Sequence, residues 1–527
     1  MKNKVKLFLA SGLASLLLLS PAFADQMLRI SYPEDPKTVD VQKTSDSYML
    51  PLNVFDRLIE AETTSPGQSA LVAGLAEKWE VSEDGLTYTF HLRQGVKFHD
   101  GADLTADDVV YTFDRMLNPA TQALGTDILD FVDGAKERLD GTADMVRGLK
   151  AVDKYTVEIH LTQPYAAFLA LMASPQASIF NRAFTEAAGD QFGLTPETTN
   201  GTGPFILKDY VLNDSQMLVA NENYFRGRPK LDSILVRVVS DAETLRLLFE
   251  TGEIDVFDLD YAVTQTPYFY GSDQWKDQIR SGPRVGMYYY HINQAIKPFD
   301  DVKVRKAFQM SINREQILEK NFYGKGKIEN GVMPRGLTCY EPATPIEYNP
   351  QKAKELLAEA GYPDGVEIAL AQVSSWSSKW SDMNQIIQAQ AAEAGFTVKI
   401  NTMDESAYFA QRKGGTIDAY TQSWSADFND PDNFFYTFFS ESGTKVRGFN
   451  NNDPQVFADI EKARGMTDPA ARCALYNALT TRIVQDDAAW VPLFSLDHSY
   501  VVQPRVKNFV VPWNGWSDMN YYLVDVE

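Results

Sequence analysis

Apolar and polar residues alternate along several short stretches of the chain. In residues 86–93, LTYTFHLR, apolar side chains occupy every second position, so one face is buried and the other meets water. This period of two predicts a β-strand. The same period returns at Val157, Ile159 and Leu161 after a turn at residues 153–154, which indicates antiparallel pairing in this region.

Other segments repeat their apolar residues with the period of a helix. Thr105 and Asp108 have the spacing of a helix cap, in which each side chain satisfies a free amide of the first turn. The apolar stripe that follows consists of Val109, Val110, Phe113 and Met116. Asn349 begins a second helix, Gly361 ends it, and a strand over residues 366–370 follows. Helices and strands that alternate in this way predict an α/β architecture.

The length of the chain indicates several domains rather than one. A chain of 527 residues is too long for one simple core and predicts two or three compact units. No repeat or long linker separates them, so short extended segments are expected to join the units. The candidates are residues 285–293 and 490–502, which are both rich in β-forming residues.

The charge of the chain limits its partners. The formal net charge of -22 at pH 7 makes a surface that repels phosphate backbones and anionic lipid headgroups. We therefore expect neither nucleic acid nor a membrane surface as a partner.

The first residues have the pattern of a secretory signal. Lys2, Lys4 and Lys6 precede an apolar stretch over residues 7–19, and Ala-Phe-Ala at 22–24 matches a cleavage site. We expect residues 1–24 to be removed and the mature protein to be free in the periplasm, because no cysteine follows the signal to carry a lipid. An uncleaved N-terminal anchor is the alternative.

Motifs of catalysis and of metal binding are missing from the sequence. There is no G-x-S-x-G, H-E-x-x-H, C-x-x-C or P-loop, and the five histidines have no ligand spacing. We expect no enzyme activity, cofactor or metal, although a secreted hydrolase remains the alternative from another class. Cys339 and Cys473 either form a disulfide or remain two buried thiols, and the sequence favours neither.

Seven segments, in this order, resemble a known family. They are LAEKWEVSEDGLTYTFHLRQGVKFHDGADLTADDVVYTFDRML, NGTGPFILKDY, NENYFRG, TGEIDVFD, KPFDDVKVRKAFQMSINREQI, EYNPQKAKELLAEAGYPDG and SWSADFNDPDNFF. The family is that of the family 5 extracellular solute-binding proteins of ABC importers, which includes oligopeptide- and dipeptide-binding proteins. The resemblance spans nearly the whole mature chain.

The resemblance implies a two-lobed periplasmic-binding-protein fold of type II, cluster C, with a ligand held between the lobes. Residues 25–57, 200–284 and 497–527 would form the core of lobe I. Residues 58–199 would form an extra subdomain of lobe I, and residues 285–496 would form lobe II. The implied partners are a small-molecule ligand and the permease subunits of the importer in the inner membrane, and we expect a monomer.

The family's peptide binders also imply a binding residue. In them, an Asp of a W-x-x-D segment pairs with the α-amino group of the ligand, and this segment is Trp424 to Asp427 here. The alternative is that Asp427 caps a turn with residues 429–431. Aromatic residues expected to enclose the ligand, or else to pack in the core, are Trp376, Trp380, Trp424, Phe428 and Tyr290. Ser45 and Tyr48 are further candidate contacts in lobe I.

The loop expected at residues 374–380 departs from the dipeptide-binding branch of the family. That branch has an Arg there for the ligand's carboxylate, whereas this chain has serines and, as the nearest cation, Lys379. The departure favours oligopeptides over dipeptides as ligands. An oligosaccharide or an opine, which other members of the family bind, is the alternative ligand.

Overall fold

The computed structural model describes residues 26–44, 48–514 and 519–527. The predicted signal sequence and the candidate contact Ser45 lie outside the described residues. The strands are β1 (Met27–Tyr32), β2 (Ile59–Ser65), β3 (Gln68–Ala73), β4 (Ala76–Val81), β5 (Thr87–Leu92), β6 (Leu149–Asp153), β7 (Thr156–His160), β8 (Phe205–Val211), β9 (Ser215–Ala220), β10 (Ser233–Val238), β11 (Val256–Asp258), β12 (Ile279–Pro283), β13 (Gly286–Ile292), β14 (Gly326–Ile328), β15 (Val366–Val373), β16 (Phe396–Met403), β17 (Ala419–Ser425), β18 (Val491–Val502), β19 (Val506–Lys507) and β20 (Asp525–Val526).

The helices alternate with these strands along the chain. They are α1 (Met49–Val54), α2 (Ala106–Leu117), α3 (Ala135–Leu139), α4 (Phe168–Leu171), α5 (Arg182–Ala188), α6 (Ala242–Glu250), α7 (Thr266–Gly271), α8 (Val302–Met310), α9 (Arg314–Phe322), α10 (Pro350–Glu359), α11 (Ser378–Glu393), α12 (Glu405–Lys413), α13 (Asp432–Phe439), α14 (Glu441–Val446), α15 (Pro454–Arg464) and α16 (Pro469–Thr481). No helix among the described residues is long and apolar enough to cross a membrane.

The elements predicted from the hydrophobic pattern are confirmed. Buried and partly buried residues alternate along β5, which pairs antiparallel with β7. At the start of α2, Asp108 Oδ2 accepts hydrogen bonds from the Thr105 amide at 2.9 Å and from its hydroxyl at 2.8 Å. Asn349 caps α10 by accepting from the amide of Lys352. One boundary was wrong: the loop expected at 374–380 ends early, because Ser377 caps α11 and places Lys379 and Trp380 in its first turn.

Separate sheets define the parts of the first lobe. Its core contains a four-stranded sheet in the order β1-β10-β9-β8, in which β1 and β10 run parallel. The extra subdomain contains a second four-stranded sheet, β4-β5-β7-β6, covered by α2. Each sheet has its own cluster of buried apolar residues. The domain bounds expected from the sequence remain a proposed division of the chain.

The sheet of the second lobe is continuous with the first lobe through one long strand. The main order of this sheet is β11-β18-β13-β17-β15-β16. The first half of β18 pairs with β13 and β14, and its second half, from Asp497 onward, pairs with β11 and β12. Both candidate crossings, residues 285–293 and 490–502, therefore contain strands of one sheet.

The first crossing segment, which contains β13, is embedded in aromatic packing. Every residue of β13 is buried. The ring of Tyr289 stacks on Trp490 with 4.3 Å between centroids, and that of Tyr290 packs on Phe308 at 4.6 Å. Aromatic residues on both faces explain why this strand reads as continuously apolar in the sequence.

A disulfide joins Cys339 to Cys473 across 134 residues of sequence. Cys473 lies on α16, and Cys339 lies in the segment between β14 and α10. The structure thus resolves the choice that the sequence left open. A crosslink that closes so long a loop removes much of the freedom of the unfolded chain.

We expect the double variant Cys339→Ser/Cys473→Ser to lose about 2–5 kcal/mol of unfolding free energy, because its unfolded chain is no longer crosslinked. Denaturant unfolding of oxidised wild type and of the variant measures this difference. Thiol titration of denatured, unreduced wild type is the control and should detect no free thiol. A full complement of two thiols per chain would contradict the disulfide.

Candidate ligand-binding site

A cavity of about 160 Å³ lies between the lobes. Its walls come from residues 57–63 and 173–176, from the C-terminal segment at 508–514 and 519–524, and from four single positions: Tyr48, Leu52, Arg226 and Asp427. Asp427 comes from the second lobe, and most of the remaining wall comes from the first. Clefts of this kind, where two lobes meet, are common ligand sites.

Asp427 lies in the short connection between β17 and α13. Its Oδ2 accepts a hydrogen bond from Asn433 Nδ2 at 3.0 Å, and its amide donates to Asn433 Oδ1 at 3.3 Å. The same Oδ1 accepts from the indole N–H of Trp424 at 2.9 Å. Asn433 therefore fixes both residues of the W-x-x-D segment. The turn that Asp427 was considered to cap is instead closed by Asp430, which accepts from the amide of Asp432.

The carboxylate of Asp427 has no ion-pair partner among the described residues. Burial raises its pKa to about 6, and the charge of Asp127 adds to this effect, whereas the Asn433 hydrogen bond and the charge of Arg447 oppose it. A carboxylate that is desolvated but not neutralised is poised to accept a cation from a ligand.

Two buried ion pairs hold the residues that follow Asp427. Asp430 receives two hydrogen bonds of 2.7 Å from the guanidinium of Arg472. Asp432 accepts from Arg464 Nε at 3.2 Å and from the Tyr165 hydroxyl of the extra subdomain at 2.6 Å. All of these side chains are buried, so the start of α13 is fixed in position on both sides.

The opposite wall of the cavity carries charges that neutralise one another. Arg57 donates to Glu60 from its Nε at 3.0 Å and from its backbone amide at 2.9 Å. The guanidinium of Arg226 forms an ion pair with the carboxylate of Glu62 on β2. Because Glu60 and Glu62 already form ion pairs with arginines, they attract a cationic ligand less strongly than Asp427 does.

The structure brings only some of the sequence-predicted residues to this cavity. Tyr48 and Asp427 line it, and the Tyr48 hydroxyl accepts a hydrogen bond from Gln176 Nε2 at 2.7 Å. Trp424 does not line the cavity, but its indole N–H donates to Asn433, which also binds Asp427. Phe428 is buried in the apolar core of the extra subdomain, so its ring joins the lobes rather than facing the cavity.

The other aromatic candidates pack within the second lobe. Tyr290 is fully buried, and Trp380, only 8% exposed, stacks on Tyr288. Trp376 packs on Tyr408 and donates from Nε1 to Glu405 at 3.1 Å. The ammonium of Lys379 lies over the Trp380 ring. None of these four lines the cavity, and core packing, the alternative for the aromatic residues, describes Tyr290 and Trp380.

Sequence reasoning missed most of the cavity wall. Arg57 and Glu60 lie outside the family segments, Arg226 lies in NENYFRG but had no role assigned, and residues 508–514 and 519–524 are far in sequence from the other walls. Asn433 was within reach, because it belongs to the same family segment, SWSADFNDPDNFF, as Asp427. Its polar side chain next to the phenylalanines of α13 was the available signal.

Residues 70–445 match the family model described as bacterial extracellular solute-binding proteins, family 5 Middle. The chain belongs to this family. It is 33% identical to the dipeptide-binding protein of Escherichia coli strain K12, with 90% of each chain covered. It is also 31% identical to heme-binding protein A of Haemophilus influenzae, with 87% of this chain and 84% of the other covered.

A solved structure of the same kind is that of the periplasmic binding protein DppA from Helicobacter pylori in complex with the peptide STSA. It has a TM-score of 0.77 and 26% identity, and the match covers 95% of this chain and 98% of the other. The fold is therefore the two-lobed fold expected from the sequence. Family 5 members are the substrate-binding components of ABC importers and are not enzymes, which excludes the hydrolase alternative.

The raised pKa of Asp427 predicts a cost to stability that its removal would relieve. Its folded-state pKa of about 6 lies above the ordinary 3.8, so the ionised group destabilises the unliganded protein above about pH 6 and has no such effect below about pH 4. We expect Asp427→Asn to raise the unfolding free energy at pH 8 by up to about 3 kcal/mol. Denaturant unfolding of ligand-free protein at pH 4 and pH 8 measures this.

The exposed Asp364→Asn in the turn after α10 is the matched control and should change stability little at either pH. An Asp427→Asn variant that is less stable than wild type at pH 8 would show that this carboxylate is already satisfied without a ligand.

Proposed function

We propose that this protein binds peptides in the cavity between its lobes, with the ligand's α-amino group on Asp427, and delivers them to a membrane permease. The observation that carries the proposal is the unneutralised carboxylate of Asp427, held by Asn433 and facing the cavity. An ammonium group is the simplest partner for such a carboxylate.

The relatives support a peptide as the ligand. The matches named for dipeptide binding and the neighbour solved with a bound peptide share the family and the fold with this chain. A charge-assisted hydrogen bond between Asp427 and an ammonium is worth about 1.5–3 kcal/mol, enough to discriminate against ligands without an amine.

The cellular location and the partner follow the expectations from the sequence. The protein would be exported by its signal sequence, act as a monomer in the periplasm and pass its ligand to the permease subunits of an ABC importer. Oligopeptides are the ligand class that the serines at residues 374–378 favour.

The first test measures peptide affinity by calorimetry with dialanine, trialanine and pentaalanine. We expect Asp427→Asn and N-acetylation of the peptide each to weaken binding by about 10- to 100-fold, because each removes one partner of the charge-assisted bond. Asp364→Asn is again the control variant. Unchanged affinity in Asp427→Asn would remove this residue from the site.

The second test uses pH. Because the amine binds the ionised carboxylate, affinity should fall about tenfold between pH 7 and pH 5, as a group with a pKa near 6 takes up its proton. In Asp427→Asn this dependence should vanish. A wild-type affinity that is flat over this range would contradict an ionised Asp427 as the amine's partner.

The identity of the natural ligand can be read from native mass spectrometry of protein purified from its own cells. Peptide masses support the proposal. Hexose-spaced masses would replace it with the oligosaccharide alternative, and the mass of heme would favour the ligand of the relative named for heme binding.

A further inference from the structure

The loop that carries Asp427 is bound by a segment that the disulfide anchors. Thr338, the chain neighbour of Cys339, donates from its amide to Asn429 Oδ1 at 2.8 Å and from its hydroxyl to the Asn429 carbonyl at 3.0 Å. The same hydroxyl lies 3.3 Å from Asn429 Oδ1. Both the main chain and the side chain of Asn429, two residues after Asp427, are therefore held by one threonine.

The other half of the disulfide adjoins the next residue of the same loop. Arg472 directly precedes Cys473 on α16 and donates two hydrogen bonds of 2.7 Å to the carboxylate of Asp430. Both of these side chains are buried. Two consecutive residues of the loop are thus bound by the direct neighbours of the two crosslinked cysteines.

The segment on the Cys339 side has no regular structure to hold it in place. Residues 329–349 contain neither helix nor strand, and irregular segments longer than about 12–15 residues are uncommon within a folded domain. Cys339 itself has a φ of 66°, in the left-handed region that residues with a side chain seldom adopt. Such a backbone conformation persists only where the surroundings enforce it, and the crosslink to α16 is a covalent constraint at that residue.

We propose that the disulfide is a positioning element of the binding site, because it holds Thr338 and Arg472 against the loop of Asp427. This inference rests on the proposed function. It gives the crosslink a second role besides that of stabilising the fold, which is to keep one carboxylate aimed at the cavity.

The position of Asp427 depends on the residues around it in the loop. Its own bonds go only to Asn433 among the described residues, whereas Asn429 and Asp430 connect the loop to the rest of the second lobe. A binding group has to stay within about 0.5 Å of its productive position to keep its full effect. Without the crosslink, Thr338 would follow its unconstrained segment away from Asn429, and the loop would lose one of its supports.

A role in closure of the lobes must be separated from this one. Asn429 Nδ2 also donates to Ser69 Oγ on β3 of the first lobe at 3.2 Å and to the Gly336 carbonyl at 3.4 Å. The loop therefore bridges the two lobes as well as carrying Asp427. Loss of the bridge would weaken every ligand equally, whereas displacement of the carboxylate would weaken only ligands with a free amine.

Calorimetry with trialanine and N-acetyl-trialanine distinguishes the two roles, because the ratio of the two affinities measures the contribution of the amine. In wild type we expect a ratio of about 10 to 100. In Cys339→Ser/Cys473→Ser the ratio should be about three- to tenfold lower, while the affinity for N-acetyl-trialanine stays within about twofold of wild type. Ser69→Ala, which removes only the bond between the lobes, should leave the ratio unchanged.

The matched control is Leu357→Ala on α10. Leu357 is buried in the second lobe, in a different apolar cluster from the one that Cys339 packs against. Its truncation should destabilise the protein about as much as loss of the disulfide does, yet keep the wild-type ratio. A ratio that falls equally in Leu357→Ala and in the cysteine variant would overturn the inference, because general loosening of the lobe would then explain both.

Variants of Thr338 test the connection with the disulfide intact, and they decide the question if the cysteine variant does not fold. Thr338→Val lacks the hydroxyl that binds Asn429, so the ratio should fall about two- to threefold, whereas Thr338→Ser should keep it. Adding Thr338→Val to the cysteine variant should cause no further fall, because both changes release the same contact. A wild-type ratio in Thr338→Val would overturn the inference.

The wild-type protein tests the proposed function separately. If it binds N-acetyl-trialanine as tightly as trialanine, or binds neither peptide, the proposed function fails and this inference fails with it. If wild type discriminates between the peptides but the cysteine variant weakens both equally, the amine site stands and the positioning role of the disulfide fails.

Discussion

The start of α13 depends on two buried ion pairs, Asp430 with Arg472 and Asp432 with Arg464. Four charges removed from water are stable only because each is matched at hydrogen-bond distance. They leave the short segment between β17 and α13 little freedom to relax. Asp427, in that segment, is therefore held desolvated next to the cavity, where an unconstrained carboxylate would turn towards solvent or towards a cation. A desolvated charged group without an ion-pair partner is typical of binding sites, where the ligand supplies the partner.

The sequence predicted the local parts of the fold well because each rests on neighbouring residues. The alternation in β5 and the Thr105 cap of α2 depend on contacts within a few positions, so they can be read directly. The two-lobed arrangement followed from the order of the family segments. The start of α11 was missed because Ser377, within a run of serines that resembles a loop, acts as a helix cap.

The site was predicted less completely, for a physical reason. Asp427 was found through its motif, but its supporting arginines lie 32 and 42 residues from the aspartates they bind, on other helices. No local pattern connects such pairs. Two aromatic candidates, Trp380 and Tyr290, lie in the core of the second lobe, because an aromatic side chain suits a binding surface and a core equally and only packing distinguishes the two.

The position of Phe428 links the site to motion between the lobes. Its ring, supplied by the segment next to Asp427, is packed into the apolar core of the extra subdomain, and the Tyr165 hydroxyl bonds Asp432 beside it. Pulling the subdomain away from the second lobe would move that ring into water at a cost of about 1.5–3 kcal/mol. On the other side, Trp513 of the C-terminal segment is packed in the same way into the apolar core of the second lobe. Opening the cavity would therefore expose an aromatic ring at either seam, Phe428 towards the extra subdomain and Trp513 towards the C-terminal segment.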